Sequence, residues 1–258
     1  MQDRYFGDVG DFGKYGLLRI LCGSEGMQRL KLGVVWYLFP DERHNADGKH
    51  IGYLRGGDRD FRDCDEELYA KLRRLLCDEN GGMIEGARRI ANAESSGLFP
   101  QDTVFYSKPL AYPHGLSFPA RLALRNEWFE GALASTVAVD LIFLDPDNGI
   151  ECATAKRTGA KGPKYVFWDE IDSFVERGQS VVVYHHLNRT NSHFQQVEDK
   201  LRQMSERFGN GCESFAVTFK RGTNRAYFVV ASSARKDILR DRLEQIHSGP
   251  WSRHFIRH

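Results

Sequence analysis

The segment Val139 to Leu144, VDLIFL, runs directly into Asp145, Pro146, Asp147, Asn148 and Gly149. A short apolar run that stops at a turn containing proline and glycine is how a strand buried on both faces looks. Strands of that kind belong to parallel sheets covered by helices on both sides, so this segment alone narrows the chain to the α/β class. Two further segments have the same character. Gly33 to Phe39 (GVVWYLF) ends at Pro40, and Ser180 to Tyr184 (SVVVY) ends at a histidine pair.

Apolar residues at helical spacing predict helices over Lys164 to Arg177, Asn191 to Phe208 and Lys236 to His247, with Gly178 and Gly209 as stops. Phe215 to Phe219 and Ala226 to Ala231 flank a short turn around Arg221, Gly222, Thr223 and Asn224, the pattern of an antiparallel hairpin. In the first half, Phe12 to Leu21 and Ala120 to Leu133 read as helices and Val104 to Tyr106 as a strand. Asp65 to Cys77 and Met83 to Ala93 read as two helices joined by the turn DENGG. The expectation is one Rossmann-type α/β domain over residues 1–258. Its sheet is mostly parallel with an antiparallel hairpin at the C-terminal end, and a helical insertion occupies 60–100.

Lysine and arginine number 36 against 35 acidic residues, so no global field steers the chain onto nucleic acid or an anionic membrane. A nucleic acid or nucleotide partner would have to be held by a local patch. The five cysteines, Cys22, Cys64, Cys77, Cys152 and Cys212, contain no C-x-x-C pair, which argues against a disulfide framework and a structural zinc site. No apolar run approaches the roughly 18 residues that span a bilayer, and no signal pattern opens the sequence. The expected location is the cytoplasm, without a membrane partner; oligomeric state is not written in the sequence.

In open α/β sheets, ligands bind beyond the carboxyl ends of the strands. The turn LDPDNGIE puts Asp145, Asp147 and Glu151 there, with Pro146 and Asn148 among them, suited to accept protons, hold a hard cation or grip an amino group. His185 and His186 follow the neighbouring strand. Successive side chains alternate, so at most one of them faces the same cleft. Asp145, Asp147 and one histidine, His185 in the set taken here, would make a mixed oxygen and nitrogen site for Mg²⁺ or Mn²⁺. The loop after the first strand, with Asp41, His44 and Asn45, lies at the same sheet edge. At the N-terminus, glycines 7, 10, 13 and 16 punctuate a run containing Asp8, Asp11 and Lys14. That run reads as a tight loop entering a helix near Gly13, with Lys14 able to reach an anion.

In their order, these segments resemble the class I methyltransferases, and nearest the 23S ribosomal RNA adenine-N6 methyltransferase family. Gly7, Asp11 and Lys14 match that family's G-x-x-x-D-x-x-K run. The resemblance implies that Lys14 helps to bind the carboxylate of S-adenosylmethionine, with Gly7, Asp11 and the Asp41, His44 and Asn45 loop nearby. LIFLDPDN stands where the family has D-P-P-Y, so Asp145 and Pro146 would hold the amino group to be methylated. Asp147 and Asn148 replace the second proline and the aromatic residue that stacks on the base, and the loop after GVVWYLF has Gly48 as its one glycine. The implied activity is methyl transfer to a nucleobase or nucleic acid. Two alternatives stay open: a metal-dependent phosphodiesterase or nuclease using Asp145, Asp147 and His185, and a non-catalytic binding module on the same fold.

Overall fold

The computed structural model describes residues 1–24, 26–42, 48, 50–55 and 59–258. The elements in chain order are α1 (Val9–Cys22), β1 (Leu32–Trp36), α2 (Arg59–Arg62), α3 (Glu66–Leu76), α4 (Ile90–Ser95), β2 (Val104–Tyr106), α5 (Phe118–Ser135) and β3 (Leu141–Asp145). They continue with β4 (Gly149–Ile150), β5 (Tyr165–Val166), α6 (Trp168–Glu176), β6 (Ser180–His186), α7 (His193–Phe208), β7 (Glu213–Phe219), β8 (Arg225–Ala231), α8 (Lys236–Ser248) and β9 (Phe255–Arg257).

Seven strands form one sheet in the order β2-β1-β3-β6-β8-β7-β9, and β4 and β5 pair separately. The pairings from β2 to β6 are parallel, whereas β8 joins β6 and β7 antiparallel and β9 adds to β7. This is the expected α/β sheet with an antiparallel C-terminal hairpin. The edge strand β9 was not anticipated; three residues are too few to show a period.

The apolar runs are buried on both faces because alternate side chains enter two different cores. Leu32, Val34, Trp36, Leu141, Phe143, Val182 and Tyr184 pack toward α1 and the helices α2 to α4. Val35, Tyr37, Ile142, Leu144, Val181 and Val183 pack toward α5, α6 and α7. This parity decides which strand-end side chains can meet.

Three expectations need correction. The helix read over Met83 to Ala93 is only Ile90–Ser95. Upstream of it, Cys77 and Met83 form a β-bridge and the Asp78 carboxylate accepts from the amides of Asn80 and Gly82, so the chain makes a turn instead. The segment Lys164 to Arg177 is helical only from Trp168, because Tyr165–Val166 pairs with Gly149–Ile150. Finally, the glycine-punctuated N-terminal run is not a loop to Gly13. Asp8 caps the helix by accepting from the Asp11 amide at 2.9 Å, and α1 is continuous from Val9. Gly10, Gly13 and Gly16 lie along one face, where an added Cβ would collide with Arg225, Phe219 and Trp251. Close packing against the terminal hairpin offsets the helix-weakening effect of these glycines.

Candidate active site

A cavity of about 520 Å³ lies over the carboxyl ends of β3 and β6, within the size range of small-molecule sites. Its walls bring together the N-terminal segment, Glu42 after β1, the turn after β3, and Tyr184, His186 and Arg189 after β6. The three segments expected to converge on one pocket do so.

The floor is built on α1. Lys14 is 3% exposed, and its ammonium bonds Asp11 Oδ1 and Asp145 Oδ2 at 2.8 Å each, with the Met1 sulfur at 3.8 Å. It stands 5.7 Å from the Trp36 ring centre and 5.6 Å from that of Tyr184. Strand register explains this cluster. Trp36 pairs with Asp145, and the Leu144–Val183 pairing sets Tyr184 beside Asp145, all on the α1 face. Lys14 is therefore held over a cross-strand row, and its carboxylate partners keep its pKa above the ordinary lysine value despite burial. Asp11 is saturated in turn: its Oδ2 accepts from the Gly7 amide and the Tyr15 hydroxyl.

Asp145 is 2% exposed, and burial raises its pKa even against the pull of Lys14. Among the described residues, its Oδ1 accepts no hydrogen bond and opens to the cavity. Asp147 is occupied: the Met1 amino group lies 2.7 Å from Oδ1, Gln2 donates to Oδ2 at 2.6 Å, and Lys164 stands 3.5 Å away. Burial works against its ionisation, but these cations and donors outweigh it and hold the carboxyl below the usual range. The Met1 amino group also bonds the carbonyls of Tyr37 and Asp145 at 2.8 and 3.1 Å, which fills the crevice between the ends of β1 and β3.

Cations on the walls divide into two kinds. Lys164 pairs with Glu42 at 2.6 Å and Arg225 with Asp8 at 2.9 Å. Lys161 and Arg189 are exposed at the cavity and form no ion pair among the described residues.

Asp145, Pro146, Asp147, Asn148, Asp11 and Lys14 all line the cavity. Three other expected site residues do not join them. His185 points to the opposite face, where its Nδ1 accepts from the Ile150 amide at 3.1 Å and its ring packs against Phe228. Burial pushes its pKa down to about 3, and His186 takes the cavity position instead. Gly7 adopts a positive φ of 77° and packs against Leu76, serving the α1 entry rather than a ligand. Asp41 faces a separate depression with Arg4 and Arg88 and accepts from the Arg4 amide at 3.1 Å. His44 and Asn45 lie outside the described residues.

The sequence reading missed Tyr184, Lys161, Arg189 and Arg225. The alternation rule already applied to the histidines contained the signal for Tyr184, which shares its face with His186 and not with His185.

No protein-family model matches the chain. No curated protein matches it either. The site must therefore be read from its own chemistry. An ammonium has three hydrogens, and those of Lys14 are all committed within the protein. The residues present therefore do not fit S-adenosylmethionine in the manner the resemblance implies, and Met1 occupies the crevice beside β1. Nor are the three donors of the metal alternative brought together. Asp145 and Asp147 each face an amino group and His185 lies on the other face. No group of three His, Cys, Asp or Glu side chains among the described residues is placed to hold a metal ion.

Proposed function

We propose that the chain is an enzyme of methyltransferase-like architecture that acts at the amino group of a nucleobase, in a nucleotide or a nucleic acid, bound in the cavity above Asp145. The observation that supports this most is the Oδ1 of Asp145, an acceptor on an otherwise buried residue that opens to the cavity and accepts no hydrogen bond among the described residues. A carboxylate oxygen accepts and does not donate, so it suits an N–H. Lys14 anchors the other oxygen and fixes the carboxylate's direction. An amine hydrogen-bonded to Asp145 is held in a fixed direction in the cavity, beside a carboxyl whose raised pKa equips it to accept a proton. Lys161 and Arg189 at the wall suit the phosphate.

Calorimetric titration with the four nucleoside monophosphates tests this reading. Saturable binding of at least one, weakened tenfold or more by Asp145→Asn, is the expected result on the scale of a charged hydrogen bond. Absence of binding at millimolar ligand, or equal binding by the variant, would overturn it.

A further inference from the structure

Of the ten tyrosine hydroxyls, eight hydrogen-bond within the chain, and that of Tyr165 stands beside the Asn148 and Cys152 side chains. That of Tyr184 meets none among the described residues, although the side chain is only 9% exposed and lines the cavity. The hydroxyl opens to the cavity, so any partner it takes comes from outside the chain.

The ring itself is fixed. The Lys14 ammonium lies 5.6 Å from its centre, and the Tyr227 ring meets it edge-on at 6.0 Å and 69°. Tyr184 and Asp145 are neighbours across the β3–β6 pairing, one strand spacing of about 4.8 Å apart on the same face. The two groups left open on this floor thus come from neighbouring strands on one face and are complementary: Asp145 Oδ1 accepts, and the phenol donates. Burial lifts the Tyr184 pKa to about 12, so the phenol keeps its proton at neutral pH.

Resting on the reading above, we infer that Tyr184 and Asp145 form a two-point reader for an aminated heterocycle, with Asp145 holding the amino group and the Tyr184 hydroxyl donating to the ring nitrogen beside it. The ligand class is an adenine- or cytosine-type edge. Tyr184 also supplies a polar anchor at a place where the segment after Asp145 has no aromatic residue.

The test compares wild type and Tyr184→Phe in binding adenosine and cytidine monophosphates and their deaza analogues lacking a ring nitrogen beside the amino group. The variant removes a hydroxyl that has no protein partner, so its melting temperature should stay at or above the wild-type value. Its affinity for the parent nucleotide should fall about tenfold, the scale of one hydrogen bond. The deaza change should weaken binding to wild type by a similar factor and leave the variant unaffected, because both remove the same bond. Equal binding of the parent nucleotide by variant and wild type would overturn the inference while leaving the Asp145 reading intact. Loss of stability in the variant would likewise overturn it by assigning the hydroxyl a structural role. Failure of wild type to bind any of the four nucleoside monophosphates would instead remove the Asp145 reading on which this one rests.

Discussion

The two faces of the sheet each carry a buried ion cluster close to the strand ends, and the clusters are built to opposite rules. On the α5–α6 face, Arg125 bonds both oxygens of Glu170 at 2.7 and 2.9 Å and the carbonyls of Gly162 and Tyr165. Glu170 also accepts from the Tyr37 hydroxyl and the Phe167 amide. Both ions are at most 1% exposed. On the α1 face, Lys14 is just as saturated, yet the row beneath it leaves Asp145 Oδ1 and the Tyr184 hydroxyl open to a cavity. Both clusters bury charge; they differ in that the one on the α1 face leaves polar groups open to a cavity.

The largest test of this contrast is Arg125→Met. Leaving Glu170 buried without its cation should lower stability by about 3–5 kcal/mol in denaturant unfolding. Nucleotide affinity of the folded protein should not change. A small stability loss would break the comparison by making the filled cluster dispensable.

Acid sharpens it next. His185 accepts through Nδ1 on the filled face and has a pKa lowered to about 3 from an ordinary value of 6.5. Between those values the unfolded chain binds a proton that the native state refuses, so stability present above pH 6.5 is lost as pH falls toward 3. The contribution is at most about 1.4 kcal/mol per pH unit. Unfolding curves of wild type and His185→Gln across that range should diverge at low pH, with the variant the less acid-sensitive.

Asp145→Asn works in the other direction. The native pKa of Asp145 is raised, so its ionised form opposes folding increasingly as pH climbs from 3.8 through the native value. The neutral isostere should hold stability within about 1 kcal/mol of wild type or improve it, while nucleotide binding falls at least tenfold. A strong destabilisation would place Asp145 with Arg125 among structural ions.

The smallest effects belong to the exposed cations. Lys161→Ala and Arg189→Ala should each weaken nucleoside monophosphate binding by about two- to fivefold without moving the melting temperature. Raising salt should erase the difference, and persistence of the effect at 1 M salt would count against a role as surface phosphate contacts.

Much of this architecture was legible before any coordinates. VDLIFL, GVVWYLF and SVVVY are strands because apolar residues on both parities leave no solvated face. The helix over Met83 to Ala93 failed because apolar spacing cannot reveal that the Asp78 side chain captures two amides and turns the chain first. The candidate site was legible in part: Lys14 and Asp145 were singled out 131 positions apart and meet at 2.8 Å. His185 was placed on the wrong face because nothing in SVVVYHH alone says which parity faces α1.

By itself the sequence determined the α/β class, the strands and the sheet edge at which a ligand would sit, because these follow from local periodicity and chain direction. Only the tertiary structure decided which strand-end groups are saturated and which stay open. Hydrogen-bond partners come from segments far apart in the chain, and whether a donor such as Lys14 is already spent depends on where all of them arrive.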